Sequence, residues 1–178
     1  METESSNLIN EILDKKVVDA LSTIISSSDL HEIAESASVI ANSFTSGDYT
    51  ISTSEDEKKL VQSFKRNLSL LIQKTWVEEF DIALKEEVLY KLDQFCAKLD
   101  EGKWSESYGI FLKILENVVY LMFGTQSRTP EFSEYALRID PEFGIFWWYV
   151  KSLPATNDWS EEKNKSILSV AMFFLANY

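Results

Sequence analysis

Apolar residues recur at spacings of three and four along almost the whole chain, a pattern that predicts one amphipathic helix after another. Leu8, Ile12, Leu13, Val17, Leu21, Ile24 and Ile25 form a first stripe; Leu30, Ile33, Ala37, Ile40, Ala41 and Phe44 form a second, stopped by Gly47. Asp29 and Glu32, three residues apart, have the spacing of a capping box at the start of the second helix. A polar loop, GDYTISTSEDEKK, follows, and Ser54 with Glu57 repeats the box. Residues 54–101 contain neither glycine nor proline. One helix over that span would be about 70 Å long, against a diameter of about 40 Å for a compact chain of this size. A break is therefore expected where Thr75 and Glu78 form a further box, giving helices over 55–73 and 76–100. Leu60, Phe64, Leu68, Leu71 and Ile72 stripe the first; Trp76, Phe80, Leu84, Val88, Leu92, Phe95 and Leu99 stripe the second.

A tight turn at Gly102 leads to a helix carrying Tyr108, Phe111, Leu112, Leu115, Val119 and Met122 and ending at Gly124. Thr129-Pro130 reads as a cap plus first helical residue, opening a short helix through Leu137. Asp140-Pro141 repeats that device and opens the segment FGIFWWYV, which Pro154 closes. Asp158 with Glu161 is expected to cap a last helix bearing Ile167, Leu168, Ala171, Phe174 and Leu175. Only DYTIST alternates like a strand, and one short run cannot make a sheet. The expectation is an all-α fold, a compact array of about seven helices in a single domain over residues 1–178, with any subdivision near 47–54.

Composition narrows the function classes. With 45% hydrophobic and 26% charged residues the chain can build a globular core. A formal charge of -12 argues against unassisted binding to nucleic acid or an anionic membrane, which needs positive surface charge, and makes a basic partner the sharper expectation. The single cysteine, Cys96, excludes an internal disulfide and suits a reducing compartment. The opening residues lack the basic-then-apolar pattern of a signal peptide and no apolar run reaches 18 residues, so no membrane span is expected and the cytoplasm is the default location.

Two stretches resemble tetratricopeptide repeats. In EGKWSESYGIFLKIL, Gly102, Trp104, Ser107 and Phe111 match the middle of such a repeat, although Ile114 stands where alanine is usual. In YALRIDPEFGIFW, Ala136, Pro141 and Trp147 match the junction between repeats. The two matches are not in one 34-residue register, and they cover about residues 90–150. The resemblance implies solenoid-like hairpins in the second half of the chain and a helical scaffold that binds a peptide or protein.

Catalytic signatures are scarce. His31, the one histidine, shares a helical turn with Glu35 and lies near Asp29 and Glu32, an i, i+4 pairing that could begin a metal site but cannot supply the two Glu-x-x-His motifs of a di-iron bundle. A solvated histidine is the plainer reading. Cys96, between Leu92 and Leu99, reads as a small buried filler rather than a nucleophile. Glu78, Glu79, Asp81, Glu86 and Glu87 cluster, as charges do on the outer face of an amphipathic helix, though paired acids can also do acid–base work. No nucleophile elbow, phosphate loop or zinc spacing occurs.

FGIFWWYV remains. Phe143, Phe146, Trp147 and Val150 share a stripe, while Trp148 and Tyr149 point elsewhere, so the helix is apolar nearly all round. Such a helix is either central and buried or part of a groove or self-contact, with Trp148 and Tyr149 the members expected at the surface. The leading reading is a non-catalytic cytoplasmic interaction or scaffold protein with no cofactor, gripping another protein or peptide through Trp147, Trp148 and Tyr149, with Trp104 and Tyr108 as neighbours. The alternatives are a structural homo-oligomer, whose aromatic helix pairs with its own copy, and an enzyme or metal protein using the carboxylates and His31.

Overall fold

The structure, a computed structural model, describes residues 54–75 and 82–178, together with isolated positions between Asp19 and Ile40. Every regular element among them is helical. We number them α1 (Ser54–Lys74), α2 (Ile82–Asp100), α3 (Trp104–Phe123), a 3₁₀ turn (Gly124–Arg128), α4 (Phe132–Ile139), α5 (Pro141–Ser152) and α6 (Glu161–Asn177). No helix among the described residues is long and apolar enough to cross a membrane.

The region expected to break does so. Thr75 turns its hydroxyl back to the Ile72 carbonyl at 2.6 Å, so it closes α1. From α2, Lys85 Nζ donates to the Gln73 and Thr75 carbonyls at 2.8 and 3.1 Å, satisfying acceptors that the helix end leaves free. The expected start of the second helix at Trp76 and the box to Glu78 lie outside the described residues, as do the apolar stripes of the first two helices for the most part and the loop near 47–54. What is described there agrees in kind. Asp19, Ala20, Thr23 and Ser26 are helical, as are His31, Glu32, Glu35, Ser36, Val39 and Ile40. Asp29 Oδ1 accepts from the His31 and Glu32 N–H groups at 2.9 and 3.3 Å, while Glu32 accepts from Ser27 Oγ at 2.9 Å.

α2 and α3 form a hairpin. Its turn is a Schellman cap: the Lys103 N–H reaches the Lys98 carbonyl at 3.0 Å and the Gly102 N–H reaches Leu99 at 2.9 Å. The cap needs a left-handed residue, and Gly102 supplies φ +75°. α4 and α5 form a second hairpin. Here Asp140 is the cap, accepting from the Phe143 N–H at 3.2 Å, with proline at the first helical position.

Two expected caps are corrected. Thr129 does not open α4: its hydroxyl and N–H both bond back to the Gln126 carbonyl, at 2.8 and 3.1 Å, so it closes the 3₁₀ turn and α4 begins at Phe132. Asp158 does not cap α6. Ser160, extended at ψ 162°, does so through its hydroxyl, which accepts from the Lys163 N–H at 3.2 Å.

α6 is the most enclosed helix. It packs against α1 along its length and also against α3 and α5. Its buried residues run from Lys163 through Leu175 on nearly every side, with Asn164 and Ser169 among them. Ser166 Oγ donates to the Glu162 carbonyl at 3.1 Å, and Asn164 Nδ2 to the Trp159 and Ser160 carbonyls that precede the helix, while Asn164 Oδ1 is buried and meets no donor.

Candidate functional site

The aromatic helix α5 resolves its own question residue by residue. Phe143, Phe146 and Tyr149 are buried, and the Tyr149 hydroxyl donates to the Ile167 carbonyl of α6 at 2.8 Å. The expectation that Tyr149 reaches the surface is therefore corrected: only 1% exposed, it pins α5 to α6. Phe146 stacks on Phe174 of α6, ring centroids 4.3 Å apart and 9° from parallel. Trp147 is 5% exposed, edge-on to Phe132 at 5.9 Å and stacked with Phe143 at 6.4 Å. Trp148 is half-buried. The indole N–H groups of Trp147 and Trp148 are both buried and meet no acceptor.

Trp104 and Tyr108 sit at the start of α3, in other surroundings. Both are buried. The Trp104 N–H donates to Glu161 Oε2 at 2.7 Å, and the Ser105 N–H to the same oxygen at 3.1 Å. Glu161, the first residue of α6, thus caps the N-terminus of α3 from outside, and Ser105 Oγ donates to its other oxygen. These donors hold the Glu161 carboxyl below its ordinary value. Tyr108 donates to the Pro154 carbonyl and lies edge-on to Trp159 at 5.8 Å; burial pushes its phenol up to about 12. Trp104 also lines a cleft of about 560 Å³ with Glu57, Lys58, Val61, Leu99, Asp100 and Gly102. The five aromatics singled out from the sequence do not share one surface: Trp104 and Tyr108 sit with the 154–161 segment, while Trp147 faces a different cleft.

That cleft has a volume of about 680 Å³. Its floor is Leu112 and Val119 of α3, Phe132 of α4, and Trp147 and Val150 of α5, with Leu153 beyond. Helical spacing explains the convergence: 112, 116 and 119 form one face of α3, and 147, 150 and 151 one face of α5. The rim is polar, built from Glu116, Ser127, Arg128, Thr129, Ser133 and Lys151. Arg128 lies over the Tyr120 ring, 4.2 Å from its centroid, and Lys151 Nζ stands 5.3 Å from the Trp147 ring.

The remaining candidates have ordinary settings. His31 pairs with Glu35 at 3.1 Å on the surface, with side chains 82% and 69% exposed. Among the described residues no three His, Cys, Asp or Glu side chains gather as metal ligands. Cys96 is buried in the core and burial pushes its thiol up to about 11, which keeps it protonated at neutral pH. Glu86 and Glu87 are exposed on α2, and Glu87 pairs with Lys91 at 3.0 Å; Glu78, Glu79 and Asp81 lie outside the described residues.

Arg128 and Lys151 were not singled out by sequence reasoning, and Glu161 was read only as the partner of Asp158 in capping its own helix. Lys151 carried a signal, as the residue that ends the apolar run at i+4 from Trp147. Arg128 carried none, because a loop cation has no periodicity to place it. No family model matches the chain, and neither a curated protein nor a solved structure does.

Proposed function

We propose that the chain is a non-catalytic interaction module of the cytoplasm, a helical scaffold that receives part of another protein in the cleft between α3, α4 and α5. The observation that carries this reading is the cleft itself: an apolar floor centred on Trp147, with a polar rim whose two cations rest over aromatic rings. Interfaces of this composition concentrate their binding energy in buried tryptophan, tyrosine and arginine. The formal charge of -12 favours a protein over a nucleic acid as partner, and a single free cysteine suits the cytoplasm.

The hairpin α2–α3 is read as a tetratricopeptide-like unit, and α4–α5 as the junction between two such units, arranged in solenoid fashion. Support comes from the positions that carried the resemblance. Gly102 makes the turn with positive φ, Ser107 and Ala136 are fully buried, and Phe111 and Trp147 are packed at their helix faces.

The test compares capture from lysate by the wild type, by Leu112→Glu in the cleft floor and by Tyr90→Glu on α2. Leu112 is partly exposed and Tyr90 is 64% exposed, so both variants are expected to fold, as circular dichroism checks. Loss of a specific partner with Leu112→Glu alone supports the reading. Equal capture by all three, or none by the wild type, overturns it.

A further inference from the structure

We infer that the cleft selects an acidic peptide segment carrying an apolar anchor residue, an inference that rests on the reading of the cleft as an interaction site. The carrying observation is a local reversal of charge. Across the whole chain 29 acids outnumber 17 bases. Accordingly Lys59, Lys65, Lys91, Lys98, Lys103 and Lys165 each stand against a carboxylate. Arg128 and Lys151 pair with no carboxylate among the described residues; Lys58, Arg66 and Lys74 share that state, but Lys58 and Lys74 line separate clefts singly. Arg128 and Lys151 converge on one cleft, and the one acid that lines it among the described residues, Glu116, already faces Lys113 at 3.8 Å.

Both cations are held for use. Arg128 over Tyr120 and Lys151 beside Trp147 lose part of the rotamer freedom that a free side chain would surrender on binding. The stacked guanidinium still presents its edge, the part that meets a carboxylate with two parallel hydrogen bonds. The cations share the cleft with the apolar residues Phe132, Trp147 and Val150. A ligand that satisfies both the cations and the floor must therefore combine an apolar residue with anionic groups.

Length discriminates among anions. A nucleic acid would run its phosphates beyond the cleft onto a surface of net negative charge, where repulsion acts within a Debye length of about 8 Å. A short acidic peptide places its few carboxylates at the cleft and stops.

The test uses fluorescence anisotropy with a labelled eight-residue peptide: two leucines flanked on each side by three glutamates. Two comparison peptides replace the glutamates by lysine or the leucines by serine. The acidic leucine peptide is expected to bind the wild type, with affinity falling as salt rises, and both comparison peptides to bind at least about ten-fold more weakly. The double variant Arg128→Glu, Lys151→Glu is expected to lose about ten-fold or more for the acidic peptide while its melting curve is unchanged; the neutral pair Arg128→Ser, Lys151→Ser falls between. Equal binding of acidic and lysine peptides, or no effect of charge reversal, overturns the inference. Partner capture sensitive to Leu112→Glu, together with no acidic-peptide binding, overturns this inference and leaves the interaction reading standing. Self-association in light scattering that charge reversal abolishes also overturns it, since the occupant is then a second copy.

Discussion

The molecule holds two aromatic clusters that put similar side chains to different uses. In the first, Phe64 of α1, Phe95 of α2 and Phe111 of α3 meet at ring distances of 5.2–5.9 Å, all fully buried. Each helix contributes one ring. In the second, Phe123, Phe132, Phe143 and Trp147 chain together across α3, α4 and α5, and Phe146, Phe174 and Tyr178 continue the chain to α6. This second cluster has an open side, because Phe132 and Trp147 are also cleft floor. It also contains a buried indole N–H with no acceptor, an arrangement that a purely structural core avoids at a cost of about 1–3 kcal/mol. The difference teaches that aromatic density alone does not mark a site. A closed cluster of hydrocarbon rings is core; a cluster with an edge on a cleft and polar groups at its rim is a core that also offers a surface.

Phe111→Ala tests the closed cluster and is expected to have the largest effect. It removes the ring that touches both partners, and large-to-small changes of buried phenylalanine cost about 3–5 kcal/mol. Urea denaturation measures it. Peptide binding by the folded fraction should be unchanged, because Phe111 does not line the cleft; a loss of binding would merge the two clusters into one functional unit.

Gly144→Ala strikes the open cluster at its hinge. A Cβ at position 144 would lie 2.6 Å from Leu137 Cα, a backbone atom that cannot swing aside. α4 and α5 would have to separate, which overpacking data place at about 1–3 kcal/mol. Because both helices wall the cleft, this variant is expected to weaken peptide binding as well as lower the urea midpoint. A destabilised variant with full binding would show that the cleft tolerates a shift of α4.

How much of this was legible in the sequence depends on how local each cause is. The helices α1 to α6 were legible because three-and-four spacing and glycine or proline stops act within a few residues. The stripe Phe64, Leu68, Ile72 is buried as read, and Gly102 turns the chain as read. Caps were less legible. Asp140 serves its own helix, but Thr129 bonds backwards and Glu161 caps a helix 56 residues earlier in the chain, which no local motif encodes. The site was least legible. Trp147 was found by its neighbours in FGIFWWYV, but its partner walls come from Leu112 and Arg128, and only the meeting of α3 with the 3₁₀ turn brings them to it. Gly144 could have been suspected, since a glycine inside a helix weakens it unless close packing requires one. Tyr149 misled because helical angle tells which residues differ in direction and not whether a sixth helix covers that side.

The smallest expected effect tests a contact that belongs to neither cluster. Glu161 ties α6 to the N-terminus of α3 through the Trp104 and Ser105 N–H groups. Loss of an N-cap costs about 1 kcal/mol, so Glu161→Gln should lower the urea midpoint slightly at neutral pH. The sign with pH follows from the donors that favour the ionised form. The folded carboxyl lies below its ordinary value of 4.5, so its contribution is complete above that value. The contribution is lost as pH falls through the lower, folded value, where the wild-type carboxyl takes up its proton. Wild type and Glu161→Gln should therefore differ at pH 7 and converge in acid. A difference that persists unchanged into acid instead would mean that the carboxylate's charge is not what holds the α3 terminus.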